Sequence, residues 1–472
     1  MPRPNLLLIT TDQQRADVLG AYGSPIVPTP HLDRFCREGV VFDRAYVQNP
    51  VCIPSRACIQ TGRYTHQHGV RYMENEIDRT PGLPVHEITF MERLQAAGYV
   101  TGATGKIHMM PERGFDWLEI VGGKGARWTQ AVGQDIGPAP LGRQYAAWLE
   151  AKHPGAYDLI YAQRRRPEYR RNHASLINVL PLAEYVETYI LEKSIEFMRQ
   201  PRSQPFFLWC GFCGPHGPHD PPASHAHLYP PERVPLPETW EQELADRPPH
   251  LRRPRRPLSA EQAQSLRLYR AYYYALCRLL DDCVGQLLGA LAELGLLENT
   301  LVLYTADHGE MLGDFRLFGK CTFYEPVLRV PLLARPPGGG VGRRCRSLLE
   351  VMDVAPTLLD YAGVAIPAEM QAKSFRDVLE GGPGGHAAVL AEYTDNARTL
   401  NGKCLVTERG KYVLWDGPQG GEFYDLQQDP GELHNRYYDP AYRDERDRHA
   451  ELLLAHLMHS EAGYTANRRE HY

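Results

Sequence analysis

Short apolar runs that end in polar residues recur along the chain. Residues 6–10, 205–210 and 301–305 are apolar almost throughout, and 99–104 form a weaker run after a glycine. Runs of this length are typical of central strands buried on both faces of a sheet. Apolar residues at helical spacing predict helices over 31–38, 91–97, 183–199, 260–294 and 351–362. This alternation predicts an α/β fold: a large mixed, mostly parallel sheet sandwiched by helices.

Two segments depart from this rhythm. Residues 110–180 and 215–258 are predicted to be irregular, and both contain runs of arginine, at 164–166, 170–171 and 252–256. Long irregular loops in a compact protein often form lids or rims. Two interpretations stay open: the arginines are a solvated charge run, or they form a rim that attracts an anionic substrate.

The residue pattern of the chain changes again near residue 381. From there the sequence has glycine-rich turns and short strands, such as 411–415, followed by a helix near 443–457. We therefore expect two domains, a large α/β domain over 1–380 and a small α+β domain with an antiparallel sheet over 381–472.

Composition excludes several classes of protein. The 472 residues are 43% hydrophobic and 23% charged, with a formal net charge of −5, so bulk nucleic-acid binding is not expected. Apolar stretches of about 18 residues are absent from the sequence, so no membrane span is predicted. The first apolar run is too short for a signal peptide, which predicts a cytoplasmic protein. The ten cysteines are scattered, which favours free thiols, and Cys210 and Cys213 are interpreted as structural.

Charged and polar residues stand at the ends of two predicted strands. Asp12 follows the first strand, and Asp307 and His308 follow the strand at 301–305. If both strands are central, these side chains meet at one edge of the sheet. Two carboxylates and an imidazole suit a divalent cation such as calcium, magnesium or manganese. A helix-capping aspartate and a packed histidine are the alternatives.

The stretch Cys52-Ile53-Pro54-Ser55-Arg56, followed by Thr61-Gly62-Arg63, resembles the active-site motif of the sulfatase family. Four other motifs of that family accompany it in the family's order. They are Thr11-Asp12-Gln13, Gly105-Lys106-Ile107-His108, Pro215-His216-Gly217-Pro218-His219, and Asp307-His308-Gly309-Glu310 with Gly319-Lys320. Residues 403–435 are similar to the family's C-terminal region, so the resemblance covers almost the whole chain. It implies the fold of the alkaline phosphatase superfamily.

The resemblance implies that Cys52 is converted to formylglycine by a maturation enzyme that reads Cys52, Pro54 and Arg56. The hydrated aldehyde would be the nucleophile, and loss of its second hydroxyl proton would release sulfate. The other implied catalytic residues are Arg56, which steadies residue 52, Lys106, His108, His216 and Lys320. Substrate binding is assigned to Asn75, Lys106, His216 and Lys320.

The implied metal ligands are Asp12, Gln13, Cys52, Asp307 and His308. Calcium is the expected ion, with manganese and magnesium as alternatives. Many sulfatases have a second aspartate where this chain has Gln13, so the site carries one negative charge fewer. The Asp-Gln pair is shared with members similar to choline sulfatases and phosphonate monoesterases, and it leaves the identity of the ion open.

The function implied is a sulfuric ester hydrolase that cleaves a small organic sulfate monoester to an alcohol and inorganic sulfate. A phosphonate monoester or phosphodiester hydrolase is the close alternative, although those relatives tend to lack the motif that supplies Lys106 and His108. A catalytically inactive anion-binding homologue, with Cys52 kept as a thiol, is the distant one. The leaving alcohol is not encoded in the motifs, and a homo-oligomer is left open.

Overall fold

Strands and helices alternate as expected. The computed structural model describes residues 3–73, 82–109, 111–121, 124 and 144–465. Twelve strands in these ranges are β1 (Asn5–Asp12), β2 (Val40–Tyr46), β3 (Val100–Gly105), β4 (Trp117–Ile120), β5 (Phe206–Pro215), β6 (Thr300–Ala306), β7 (Arg329–Arg335), β8 (Arg343–Glu350), β9 (Ala388–Thr394), β10 (Asn401–Thr407), β11 (Gly410–Trp415) and β12 (Gly421–Asp425).

Fourteen helices accompany these strands in the same described ranges, joined by short 3-10 turns. They are α1 (Pro30–Arg37), α2 (Cys52–Thr61), α3 (Thr65–His68), α4 (Phe90–Ala96), α5 (Gln144–Lys152), α6 (Ala156–Arg164), α7 (Pro167–Arg171), α8 (Val186–Arg199), α9 (Ala223–Ala226), α10 (Ala260–Glu293), α11 (Glu325–Leu328), α12 (Val354–Tyr361), α13 (Arg376–Leu379) and α14 (Arg443–Thr465). None of the helices in the part of the chain described here has the length and apolar character needed to cross a bilayer.

The large sheet has eight strands in the order β4-β3-β5-β1-β6-β7-β2-β8. Only β7 runs against its neighbours, β6 and β2, and the other pairings are parallel. The strand β1 lies between β5 and β6 and is buried at all eight positions, which explains its uninterrupted apolar sequence. One apolar core fills each face of the sheet, so the predicted fold class, a mostly parallel sheet between helices, is confirmed.

The carboxyl ends of the central strands are shaped by close backbone contacts. Gly105, the last residue of β3, has a φ of 79°. A Cβ atom there would collide with the carbonyl oxygen of Gly211 on β5. Glycine is therefore required at this position, which sends the chain directly into Lys106 at the edge of the sheet.

The segment 110–180 is more regular than predicted. In its described part it contains β4 and the helices α5, α6 and α7. These helices are only five to nine residues long, so their buried side chains, such as Leu149 and Ile160, do not repeat often enough to show helical spacing. The segment 215–258 contains only α9 and short 3-10 turns, as expected.

The second sheet, with strand order β12-β11-β10-β9, is antiparallel and lies near the C-terminus, as predicted. Its side chains alternate between two packing partners. Leu390, Leu405 and Phe423 share a core with Leu453 of α14, whereas Val389 and Cys404 join the core that contains α2. The sheet is therefore buried on both faces. The division of the chain into domains at residue 380 stays a prediction.

A buried cation ties this second sheet to the larger one. Lys411 on β11 is fully buried, and its Nζ lies 2.8 Å from a carboxylate oxygen of Glu325 and 2.8 Å from one of Glu432. The same ammonium group donates to the carbonyl oxygen of Phe323 at 2.8 Å. Burial raises the pKa of Glu432 to about 7 even though Lys411 opposes the shift.

We expect Lys411→Met to lower the free energy of unfolding at pH 8 by about 3–5 kcal/mol, because two buried carboxylates lose their cation. Without the ammonium group, a buried carboxyl such as that of Glu432 keeps its proton in the folded chain at a pH at which the unfolded chain has already released it. The stability deficit therefore grows as the pH rises and shrinks as it falls toward about 5. Urea unfolding at both pH values measures this difference.

The matched control is Lys193→Met, which removes a half-exposed pair with Glu196 (2.8 Å). Its cost is expected to stay below about 1 kcal/mol. Equal losses in the two variants, or no dependence on pH for Lys411→Met, would contradict the assignment of Lys411 as a buried counter-ion.

Candidate active site at the carboxyl edge of the sheet

Four predicted metal ligands meet at the carboxyl edge of the large sheet. Asp12 ends β1, Asp307 and His308 follow β6, and Cys52 is the first residue of α2. One ligand atom from each lies within 4.8 Å of the others, and all four residues are buried. Because β1 and β6 are parallel neighbours in register up to Thr11 and Ala306, their ends deliver these side chains to one place.

Arg56 holds the two carboxylates in position. Its Nε donates to Asp307 at 2.8 Å, and its Nη2 lies 3.4 Å from Asp12. Its Nη1 donates to the carbonyl oxygen of Lys106 at 2.5 Å. The guanidinium group is fully buried, and such burial is tolerated because each of its three nitrogen atoms has a partner. These contacts place Arg56 on the carboxylates, while a direct role at residue 52 stays a prediction.

Asp12 keeps one oxygen free of hydrogen bonds. Its Oδ2 lies 2.5 Å from the Nζ of Lys106 and also faces Arg56. Its Oδ1 is buried and has no hydrogen-bond partner among the described residues. Burial raises the pKa of Asp12, but Lys106, His216 and Arg56 outweigh this effect and hold it well below its usual range. An ionised, unpartnered buried oxygen is what a bound cation requires.

The ring of His308 is oriented by its own backbone. Its Nδ1 lies 2.8 Å from the carbonyl oxygen of Gly309, and since a carbonyl only accepts, Nδ1 carries the proton. The lone pair is then on Nε2, which lies 3.7 Å from Asp307 and 3.9 Å from Asp12. This tautomer suits a metal ligand.

Gln13 adds a side-chain amide to the possible metal ligands, and its backbone is strained. Its φ is 69°, and its N–H donates to Asp307 Oδ1 at 3.0 Å. Its side-chain Nε2 donates to the carboxylate of Glu310, so the amide oxygen is the end left for an ion. Two carboxylates, an amide oxygen and an imidazole nitrogen fit a divalent cation.

Cys52 lies against a second lysine. The Nζ of Lys320 is 2.9 Å from Cys52 Sγ and 2.9 Å from His308 Nε2. Burial raises the pKa of the Cys52 thiol, and Asp12 adds to that. The charge of Lys320, together with the neighbouring imidazoles of His108 and His308, outweighs both, so the pKa of the thiol falls well below the usual value. The pocket therefore stabilises negative charge at residue 52.

His216 approaches the cluster from the segment after β5. Its backbone N–H donates to the carbonyl oxygen of Asp12 at 3.0 Å, and its Nε2 lies 4.0 Å from Asp12 Oδ1. Burial lowers the pKa of His216 to about 3, assisted by Lys106 and Lys320 and opposed by Asp12. The ring is therefore neutral at ordinary pH, with Nδ1 donating to the carbonyl oxygen of Gly217 at 2.6 Å.

The structure thus gathers the residues assigned to catalysis and metal binding around one cluster. They are Asp12, Gln13, Cys52, Arg56, Lys106, His108, His216, Asp307, His308 and Lys320. Asn75 lies outside the described residues, so its assignment to substrate binding stays a prediction.

Glu310 and two tyrosines support the site in roles that the motifs do not indicate. Glu310 is fully buried and accepts hydrogen bonds from Gln13, from the hydroxyl of Tyr269 (3.0 Å) and from the N–H of Gly319 (2.5 Å). Tyr273 donates its hydroxyl proton to the carbonyl oxygen of Gln13 at 2.8 Å. Glu310 directly follows His308-Gly309 and was available as a signal, whereas the tyrosines lie within a long helix, where nothing distinguishes them from core residues.

Most arginines of the predicted rim are paired. Arg164 is buried near Asp220 (3.3 Å), Arg171 lies 3.5 Å from Glu261, and Arg255 contacts Glu241 at 2.9 Å. Arg252 and Arg253 donate to backbone carbonyl oxygens. These partners leave fewer arginines for an anion, and the choice between a solvated charge run and a rim stays a prediction.

Other candidate features are structural or remote. All ten cysteines are free, and Cys210 and Cys213 are buried within β5, as expected of structural thiols. A groove of about 1210 Å³ is lined by Pro4 and Asn299, next to the first residues of β1 and β6. It lies at the opposite edge of the sheet from Asp12 and Asp307, so it is no part of the cluster.

The known proteins that resemble this chain agree with the geometry of the site. The family model described as Sulfatase matches residues 4–364, and one described as N-sulphoglucosamine sulphohydrolase, C-terminal, matches residues 313–457. The chain is 31% identical over 479 residues to an arylsulfatase of Clostridium perfringens, covering 98% of this chain and 96% of the relative. It is 25% identical over 521 residues to an N-acetylglucosamine-6-O-sulfatase of Bacteroides thetaiotaomicron, covering 96% and 86% of the two chains.

Among solved structures, the phosphonate monoester hydrolase of Agrobacterium radiobacter is similar, with a TM-score of 0.77 and 25% identity. The similarity covers 96% of this chain and 95% of that one. These matches confirm the expected alkaline phosphatase-like fold. Because the family model spans most of the sequence and five motifs of the family converge in space, the chain belongs to the sulfatase family.

Proposed function

We propose that this protein hydrolyses a small organic sulfate monoester to an alcohol and inorganic sulfate, with a formylglycine made from Cys52 as its nucleophile. The observation that carries the proposal is the position of Cys52. Its Sγ lies within 4.8 Å of ligand atoms of Asp12, Asp307 and His308 and 2.9 Å from Lys320. A nucleophile at this position faces an ion site on one side and a cation on the other.

The charges of the pocket favour a tetrahedral anion. Three cations, the buried Arg56 and Lys106 and the half-buried Lys320, stand against two carboxylates. In a site with little water, such preplaced charges stabilise negative charge more strongly than solvent does. Lys106 and Lys320 hold sulfate oxygens, and Lys320 also supports the oxygen of the leaving alcohol. The hydrated aldehyde supplies two hydroxyl groups on one carbon, one for attack on sulfur and one whose deprotonation releases sulfate.

The two histidines near residue 52 have different tasks in this proposal. His108 hydrogen-bonds to residue 52 and takes the proton whose loss allows sulfate to leave. His216 is neutral, and its Nε2 faces the pocket as a donor or acceptor for a substrate oxygen. Both tasks depend on short-range proton transfer or hydrogen bonding, which the burial of the site protects from water.

The metal site is proposed for one divalent cation held by Asp12, Gln13, Asp307, His308 and residue 52. Such an ion supplies Lewis acidity toward the nucleophile and positive charge toward the sulfate oxygens. Calcium, magnesium and manganese all prefer oxygen donors, and calcium is the expected ion. The imidazole of His308 favours manganese among these three, and elemental analysis of the purified protein identifies the ion directly.

The maturation enzyme is proposed as a transient partner that acts before folding is complete. Cys52 is 1% exposed and Arg56 is fully buried, so an enzyme that reads both residues has no access to them in the folded chain. The cytoplasm is the proposed location, and a homo-oligomer is left open.

Phosphonate monoester hydrolysis is the second candidate. Two observations favour it: the Asp12-Gln13 pair, and the similarity to the solved phosphonate monoester hydrolase. Against it stand Lys106 and His108, both of which lie in the pocket.

The modification at residue 52 is tested by peptide mass spectrometry. After co-expression with a formylglycine-generating enzyme, the peptide containing Cys52 is expected to lose one sulfur and two hydrogen atoms and gain one oxygen. Activity on an aryl sulfate should rise in proportion to the modified fraction. Cys52→Ala should lower kcat at least about 10⁴-fold, because the nucleophile is removed.

Cys58→Ser is the matched control, since it lies on the same helix and keeps a hydroxyl in reach of His68, which is 3.3 Å from Cys58 Sγ. It should retain most of the activity. Turnover by Cys52→Ala comparable to that of wild-type protein with modified residue 52 would show that another group is the nucleophile.

The choice of oxyanion is tested with 4-nitrophenyl sulfate and the 4-nitrophenyl ester of phenylphosphonic acid. We expect the larger kcat/KM on the sulfate. Lys106→Met should reduce kcat on the sulfate about 100-fold, since it removes a cation from the developing charge. A larger kcat/KM on the phosphonate would assign the protein to the second candidate function.

A further inference from the structure

Glu310 is a fully buried carboxylate whose hydrogen-bond donors are all neutral groups. Its Oε2 accepts from the side-chain amide of Gln13. Its Oε1 accepts from the hydroxyl of Tyr269 and the N–H of Leu312, both at 3.0 Å, and from the N–H of Gly319 at 2.5 Å. Four donors on two oxygens that only accept are the pattern of an ionised carboxylate. Its negative charge therefore meets no cation within this set of contacts.

The backbone of Glu310 is held as firmly as its side chain. Its N–H donates to the carbonyl oxygen of Pro326 at 3.0 Å, and its own carbonyl oxygen accepts from Arg15 at 3.3 Å. A Cβ atom at the preceding Gly309 would collide with the same carbonyl oxygen of Pro326, so the chain approaches closely there. With three donors on Oε1 and a fixed backbone, Oε2 has one position, against Gln13.

This contact decides which end of the Gln13 amide faces the metal site. Because a carboxylate only accepts, Nε2 of Gln13 points to Glu310, and the amide oxygen points away from it. The backbone of Gln13 is fixed as well, since its N–H donates to Asp307 at 3.0 Å and its carbonyl oxygen accepts from Tyr273 at 2.8 Å. The end of Gln13 that a cation prefers is thereby the end that is presented.

The proposed metal site is short of negative charge. Asp12 and Asp307 supply two negative charges against the three cations of the pocket, and a divalent ion adds two positive charges. An excess of one sign is costly in a buried region, where the effective dielectric constant is low. Glu310 is one amide group away from the site and supplies a third negative charge.

We propose that Glu310 is a positioning residue for the metal site, which holds Gln13 with its amide oxygen toward the ion and supplies the additional negative charge that the ion requires. The inference rests on the proposed function and its metal site. Glu310 acts through Gln13 and contacts neither ion nor substrate. Since it also accepts from Gly319, the residue before Lys320, the same carboxylate links the ion side of the pocket to the cation beside residue 52.

Glu310→Gln tests this role because it replaces the carboxylate with an amide of the same size. Three donors keep the introduced amide oxygen at the Oε1 position, so the introduced NH2 group meets Nε2 of Gln13. Gln13 then turns its own NH2 group toward the metal site, where it repels a cation. We expect the dissociation constant of the ion to rise about 10–100-fold in calorimetry on chelator-treated protein. The titrant is Ca²⁺ or Mn²⁺, whichever wild-type protein binds more tightly.

The double variant Glu310→Gln with Gln13→Glu reverses the pair. The introduced amide now donates to the introduced carboxylate, which keeps its other oxygen for the ion. The dissociation constant is expected to return to within about threefold of the wild-type value or below it, because the hydrogen bond and the charge are both restored. A purely structural role of Glu310 would not be rescued by moving its charge to residue 13.

Glu422→Gln is the matched control. Glu422 is also a buried carboxylate with neutral donors, Nε1 of Trp415 at 3.0 Å and the hydroxyl of Tyr424 at 2.6 Å, but it lies on β12 of the second sheet. Its replacement should change the dissociation constant of the ion less than about twofold.

Unchanged ion binding by Glu310→Gln, an equal loss in Glu422→Gln, or a double variant that binds as weakly as the single one would overturn the inference. If Glu310→Gln does not fold, the double variant decides in the same way. Failure of the proposed function looks different: wild-type protein with modified residue 52 would bind the ion and hydrolyse no sulfate ester, and the calorimetric comparison would still stand. Wild-type protein that binds neither ion would reject the metal site and this inference with it.

Discussion

One buried arginine holds the catalytic edge of the sheet together. Asp12 and Asp307 end neighbouring parallel strands, and without a cation between them their carboxylates would repel each other in a medium of low dielectric constant. Arg56 contacts both and also binds the backbone at Lys106. Because it lies one turn after Cys52 on α2, the same helix fixes the position of the proposed nucleophile and of the carboxylates.

The remaining charges follow from this arrangement. Arg56 and Lys106 occupy one side of Asp12, which leaves its Oδ1 unpartnered and directed into the cluster. Lys320 then faces Cys52 and His308 rather than a carboxylate, so it is available to an anion. A pocket with an excess of cations and an ion site selects a substrate by its negative charge.

Much of this could be predicted from the sequence, for physical reasons. The strand β1 is buried on both faces and therefore shows an unbroken apolar run. The long helix α10 begins with a capping box between Ser259 and Gln262, so its start is visible in the sequence. The residues proposed for catalysis lie in short local motifs, which can be recognised without the fold. The helices between 144 and 171 were missed because each is too short to display a period.

Contacts between distant segments were not predictable in the same way. The bond between Tyr269 and Glu310 spans 41 positions, and that between Tyr273 and Gln13 spans 260. Nothing in either tyrosine's surroundings along the chain distinguishes it from its helical neighbours. The motif places Arg56 beside residue 52, whereas in the fold its side chain contacts the carboxylates of Asp12 and Asp307, which only the folded sheet brings near.

Titration of the chelator-treated protein with a divalent ion tests the central claim most directly. The account predicts one ion per chain in calorimetry, loss of aryl sulfate hydrolysis on chelation and recovery when the ion is restored. In Asp12→Asn, which removes one of the two carboxylates, the account predicts that both binding and recovery are lost. Full activity after complete removal of divalent ions, or unchanged binding by Asp12→Asn, would contradict it.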